Sequence, residues 1–141
     1  MKQIVIYWEG PFKYTDSIPY HLRGVPGIYI IECDSEIMYI GKSETNGAFK
    51  RAKDHFRGQG DSTGRRIIER KDKSKIMLWI GFIELYEDIF LTERYMIYKL
   101  KPNANLNHIK KYENVPLKII NEGKLPINIK GKIHDACNRK V

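Results

Sequence analysis

The chain has 141 residues, 42% of them hydrophobic, with 25 Lys and Arg against 17 Asp and Glu and a net charge of +8; that is enough for one domain with a real core and too little for two. Cys33 and Cys137 are the only cysteines, which excludes a disulfide-stapled scaffold and a cysteine-rich zinc site. The longest apolar run, Ile76 to Ile83, suits a buried strand and cannot span a bilayer, and the run Ile4 to Trp8 is too short for a secretory leader, so the expectation is a reduced, cytoplasmic protein with no membrane partner.

In chain order, residues 1–8 read as an edge strand. Gly10 to Pro26 holds three prolines and reads as loop, with one helical turn near Ser17 to Leu22. Gly27 to Cys33 and Ile37 to Lys42 are rich in β-branched and aromatic residues and flank Asp34 and Ser35, the pattern of a β-hairpin. A loop centred near Asp34 sets Tyr29 directly opposite Tyr39, on one sheet face. Asn46 can cap a helix running to about Arg57, which Gly58-Gln59-Gly60 ends. A second, basic helix over Ser62 to Asp72 carries Arg65, Arg66 and Arg70. Lys75 to Leu85 is a third strand with Trp79 and Phe82 as core residues. Asp88 can cap a helix to about Leu100, stopped by Pro102. Beyond Asn107 the prolines and glycines leave short pieces with no assignable pairing.

The charge is localised. Residues 42–75 carry eleven Lys and Arg against five Asp and Glu, and residues 108–141 carry eight against three; the remaining segments are close to neutral. Such segments fit a phosphate-binding surface, although basic helices facing water have the same composition.

Several residues stand out chemically, each with a plainer reading beside it. On the helix from Asp88 to Leu100, Ile89, Met96, Ile97 and Leu100 form one stripe, and Glu93 falls in its middle. An inward carboxylate needs a metal or a cationic partner; a buried salt bridge meets the need as well as a metal. Arg51 and His55 share one helix side at the border of the stripe Ala48, Phe49, Ala52 and Phe56, where they line either a cleft or open water. Tyr29 and Tyr39 are site phenols or ordinary packing residues. Asn105 is a brace or a loop residue satisfying its own backbone.

Taken together these residues resemble the GIY-YIG nuclease superfamily, over roughly residues 25–107. Gly27-Ile28-Tyr29 and Tyr39-Ile40-Gly41 match both halves of the name motif, Lys42 follows, Arg51 takes the arginine position, and His55 stands one turn later. Glu93, Pro102 and Asn105 match the terminal Glu…Pro-x-x-Asn pattern, with Asn103 and Asn107 as competitors for the last place. The resemblance implies an α/β (α+β) fold, a small three-stranded antiparallel sheet flanked by helices, within a single domain 1–141 whose core is 25–107, with an N-terminal extension 1–24 and a basic C-terminal extension 108–141. It implies phosphodiester hydrolysis on one divalent ion, Mg²⁺ or Mn²⁺, held by Glu93. Arg51 would neutralise the phosphorus charge, Tyr29 would serve as base, and Tyr39 would orient water or phosphate. Gly41 would permit close approach, and Asn105 would brace the site. A phenol titrates near pH 10, so the expectation is that Lys42, Arg51 and the metal favour phenolate, with His55 taking the phenol proton. All of this requires positions 29, 39, 51 and 93 to converge.

The expected substrate is duplex DNA, contacted by Arg65, Arg66 and Arg70 or by the extensions. The compact chain looks like a restriction-type member, a homodimer if it makes double-strand breaks. A structure-specific nicking or repair nuclease, and a non-catalytic nucleic-acid-binding module of the same fold, are the alternatives.

Overall fold

The computed structural model describes residues 1–45, 47–54, 73–102, 105 and 117–124. Strand β1 (Lys2–Lys13) is followed by a single 3₁₀ turn at Tyr20–Leu22, then β2 (Gly27–Cys33), β3 (Glu36–Ser43), α1 (Ala48–Asp54), β4 (Ile76–Ile83), α2 (Asp88–Leu100) and β5 (Leu117–Gly123). The strands form one sheet in the order β3-β2-β4-β1-β5. Every pairing is antiparallel except β1 with β5. Among the described residues no helix is long and apolar enough to cross a membrane.

The class is as expected but the sheet is larger, five strands in place of three. The opening strand continues to Lys13, well into the expected loop, and lies inside the sheet between β4 and β5. The expected helical turn is the 3₁₀ turn at Tyr20–Leu22. Residues 117–123, whose pairing could not be assigned from sequence, form the outer strand of the described sheet on that side. The cap Asn46, the end of the first helix near Arg57 and the whole helix over Ser62 to Asp72 lie outside the described residues.

Helices cover both faces. On one, Ile28 and Ile30 of β2, Ile40 of β3, Trp79 of β4 and Ile4, Ile6 and Trp8 of β1 pack with Ile89, Tyr95, Met96, Ile97 and Leu100 of α2. On the other, Tyr29, Ile31 and Cys33 of β2, Met38 of β3 and Ile76, Leu78 and Ile80 of β4 pack with Ala48, Phe49 and Ala52 of α1. A strand buried on both faces is apolar throughout rather than alternating, which is why Gly27–Cys33 reads as one hydrophobic run. Tyr95, which helical spacing assigns away from the stripe, is buried. Of the two aromatic residues expected in the core of β4, Trp79 is buried and Phe82 is not; it lies 40% exposed, with Tyr7 as its ring neighbour at 6.2 Å. At the start of α2 the cap position is Glu87, with no side-chain cap bond. Asp88, expected there, is the first helical residue, and its carboxylate meets Lys2 Nζ at 2.6 Å. Lys101, at φ 47°, ends the helix one residue before Pro102.

Candidate active site

The hairpin positions the tyrosines by an irregularity. Asp34 and Ser35 both have positive φ, the conformation of a tight two-residue turn matched to strand twist. Counting back from that turn, Cys33 pairs with Glu36 and Glu32 with Ile37; beyond a register shift, Ile31 pairs with Tyr39 and Tyr29 with Gly41. Met38 is the extra residue, a β-bulge. If the ladder ran on without the shift, Met38 would pair with Ile31 and Tyr39 with Ile30, pointing to the opposite face. Tyr39 is therefore not directly opposite Tyr29, as a loop centred on Asp34 would have it, but one diagonal step away on the same face. The two rings stack at 6.1 Å between centroids.

Gly41 faces Tyr29 across the ladder, and a Cβ there would overlap the phenol oxygen and Cζ. The absent side chain lets the Tyr29 ring lie across the outer strand of the described sheet. The Tyr29 side chain is buried, and its hydroxyl is hydrogen-bonded to Arg51 of α1. The charge of Glu93 on α2 also acts on it. The helices that carry Arg51 and Glu93 pack on opposite faces of the sheet, and both charges act on one hydroxyl, which lies against bare Gly41 on the outer strand of the described sheet.

Burial, reinforced by Tyr39 and Glu93, pushes the Tyr29 phenol well above its ordinary value, and Arg51 offsets this only in part. The expectation of phenolate counted on the bound metal as well as the cationic side chains; Arg51 by itself does not supply the field. In the protein without a bound cation the phenol stays protonated, because removing it from water costs the anion more than one guanidinium returns. Lys42, expected to help, acts on Glu93 instead.

Glu93 sits on the inward side of α2 among buried Ile89, Met96, Ile97 and Leu100, yet remains partly accessible. Burial raises its carboxyl to about 7; Lys42 opposes the shift and Glu44 adds to it. A carboxylate disfavoured by desolvation is one that a hard cation would relieve. Among the described residues no group of three His, Cys, Asp or Glu side chains could hold a metal. Glu93, a single partly buried carboxylate, fits one oxygen-liking ion that keeps most of its water.

Asn105 is buried and grips the backbone of Ile40 at two points. The Ile40 N–H donates to Asn105 Oδ1 at 2.8 Å, and Asn105 Nδ2 donates to the Ile40 carbonyl at 2.9 Å. His55, Arg65, Arg66 and Arg70 lie outside the described residues, as do Asn103 and Asn107. Four residues near Glu93 escaped the sequence reading. Glu44 binds Lys42, Tyr86 binds Glu44, and the Phe90 ring lies beneath both Lys42 (5.6 Å) and Arg94 (5.3 Å). Helical spacing does place Phe90 one turn from both Glu93 and Arg94; nothing local points to Glu44 or Tyr86.

Comparison with known proteins gives a match to the GIY-YIG catalytic domain over residues 25–109. UvrABC system protein C of Fervidobacterium nodosum is 31% identical over 94 residues, 67% of this chain and 15% of that protein. The Thermosipho africanus protein of the same name is 28% identical over 100 residues, 71% of this chain and 17% of that one. The chain thus spans about a sixth of the length of these relatives. Among solved structures, the GIY-YIG N-terminal endonuclease domain of UvrC from Thermotoga maritima, bound to magnesium as its catalytic divalent cation, shares 21% identity with a TM-score of 0.42, covering 60% of this chain and 86% of that one. Since the family match takes in well over half of its residues, the chain belongs to the GIY-YIG catalytic domain family of phosphodiester hydrolases.

Proposed function

We propose that this chain is a metal-dependent DNA endonuclease in which Tyr29, Tyr39, Lys42, Arg51, His55 and Glu93 act on the scissile phosphate, while Gly41 and Asn105 shape and hold the site. The observation that carries the reading is the Tyr29 hydroxyl, bonded by Arg51 from one helix and subject to Glu93 from the other.

Arg51 sets a permanent positive charge where phosphate oxygens gain negative charge in the transition state. Tyr39, stacked beside Tyr29, presents a second hydroxyl to orient water or phosphate. Tyr29 accepts a proton from water only after losing its own, which burial resists; His55, one turn beyond Arg51 in sequence, is the group to take it. Glu93 would hold one Mg²⁺ or Mn²⁺. When bound there, the ion supplies positive charge that stabilises the leaving oxygen and cancels the carboxylate field that disfavours phenolate. Asn105 fixes Ile40, and with it Tyr39 and Gly41 on either side.

The finer reading is a restriction-type enzyme acting on duplex DNA as a symmetric dimer, with Arg65, Arg66, Arg70 and the basic segment 108–141 supplying recognition; residues 1–24, expected as an extension, contribute β1 to the sheet and its core. The second reading is a structure-specific nicking or repair nuclease, which the same site chemistry would serve. A plasmid-nicking assay with Mg²⁺, and with EDTA as control, tests the common claim. Glu93→Ala should bind DNA and not cut it, and Tyr29→Phe should cut on the order of 10²-fold more slowly. Normal cutting by Glu93→Ala rejects the metal assignment, and an inactive wild type favours a binding module. On mixed-sequence DNA, discrete fragments support the restriction-type enzyme; nicks confined to branches or distortions support the second reading.

A further inference from the structure

Lys42 is held by a carboxylate that the reaction above does not use. Its Nζ donates to Glu44 Oε1 at 2.6 Å, and Glu44 Oε2 accepts a hydrogen bond from the Tyr86 hydroxyl at 3.1 Å. Tyr86 lies two residues before α2, so Glu44 ties the end of β3 to the start of the helix that carries Glu93. The same ammonium stands 5.6 Å from the centre of the Phe90 ring, one helical turn before Glu93. The Lys42 and Glu44 side chains are only 26% and 31% exposed, so water screens this pair less than an open surface pair.

We infer that Glu44 is a positioning residue for the metal site: with Tyr86 it berths the Lys42 ammonium and keeps that cation from settling on Glu93 in place of a divalent ion. The inference rests on the reading of Glu93 as the metal-binding carboxylate. An ammonium and a divalent ion compete for one carboxylate and repel each other within a few ångströms. The charge of Lys42 already reaches Glu93, opposing the effect of burial there, and Glu44 acts on Glu93 in the opposite sense. If Glu44 loses its charge, the ammonium is left over the Phe90 ring, one helical turn before Glu93, with no berth to hold it away from that carboxylate. The berth thus leaves Lys42 beside the site, where it can meet a phosphate, without letting it fill the site.

The test is Mn²⁺ binding to the whole chain without DNA, followed by electron paramagnetic resonance, with circular dichroism to confirm folding. Glu44→Gln should weaken Mn²⁺ binding about tenfold, the lower end of what outer-shell changes cost metal sites. Tyr86→Phe, at an exposed hydroxyl, should weaken it less but in the same direction. In a Lys42→Met background, Glu44→Gln should cost little, because there is no ammonium left to misplace. The inference is overturned if Glu44→Gln and Tyr86→Phe bind like wild type. It is equally overturned if Glu44→Gln costs the same factor with and without Lys42, which would make Glu44 a ligand or a bare charge. Wild type that fails to bind Mn²⁺, or Glu93→Gln that binds it equally well, overturns the metal site itself and this inference with it; that failure is told apart because it does not depend on Glu44.

Discussion

Asn105 substitutes, with one side chain, for a neighbouring strand. On the outer strand of the described sheet, outward backbone groups lack a ladder partner, and the carboxamide presents to Ile40 the same donor and acceptor that a peptide group would. Both contacts are buried, so Asn105→Ala leaves an N–H and a carbonyl unsatisfied and should destabilise the protein by about 2 kcal/mol or more, read as a lower urea midpoint. A midpoint unchanged from wild type would show that water replaces the clamp. Glu93 gives a second prediction, this one in pH. Its folded carboxyl titrates near 7, raised from 4.5, so between those values the folded state holds a proton that the unfolded chain has released. Stability therefore falls as pH rises through that window and levels off above it. In EDTA, Glu93→Gln should be more stable than wild type at pH 8 and nearly equal to it at pH 5. An equal difference at both values would show that the carboxylate is not the cause.

At the level of elements, the hairpin was legible and its register was not. Asp34 and Ser35 between two β-branched runs mark the turn, but the choice of Met38 as a bulge is settled by packing: Met38 and Tyr39 both turn towards the cluster that Tyr29 joins. Deleting Met38 should leave Tyr39 opposite Ile31 and on the Tyr29 face, because the pairs beyond the bulge then follow Glu32–Ile37 without a shift; cleavage should persist, while loss of the buried Met38 side chain lowers stability by about 2 kcal/mol or more. Loss of cleavage in a folded deletion variant would show that the bulge itself, and not only the pairing beyond it, shapes the site. Phe82 and Trp79 show the same limit. They point to opposite faces of one strand, and since both faces of β4 are apolar, only the positions of the helices decide which ring is covered. The pairing of β1 with β5 joins residues more than a hundred positions apart, and no local pattern encodes it. Glu93 was legible because a 3.6-residue period fixes its side of the helix. Its neighbours Glu44 and Tyr86 were not, because they meet only when β3 and the start of α2 are brought together.

For the molecule as a whole, the decisive quantity is where the charge lies. The net charge of +8 is concentrated in sequence in 42–75 and 108–141, while the site itself contains opposing groups, Lys42 and Arg51 with Glu44 and Glu93. Affinity and chemistry should then separate. If Arg65, Arg66 and Arg70 each contact a phosphate, binding should fall steeply with salt, because every neutralised phosphate releases bound counterions. Replacing all three with Ala should flatten the slope of log affinity against log salt by about 3, while leaving the cleavage rate at saturating DNA close to wild type, since none of them belongs to the phosphate-cleaving set. Filter binding across a salt series, paired with single-turnover cleavage, measures both quantities on the same preparations. An unchanged slope moves the binding surface to the 108–141 segment; an equal loss in affinity and in rate would mean that this basic segment reaches the scissile phosphate itself.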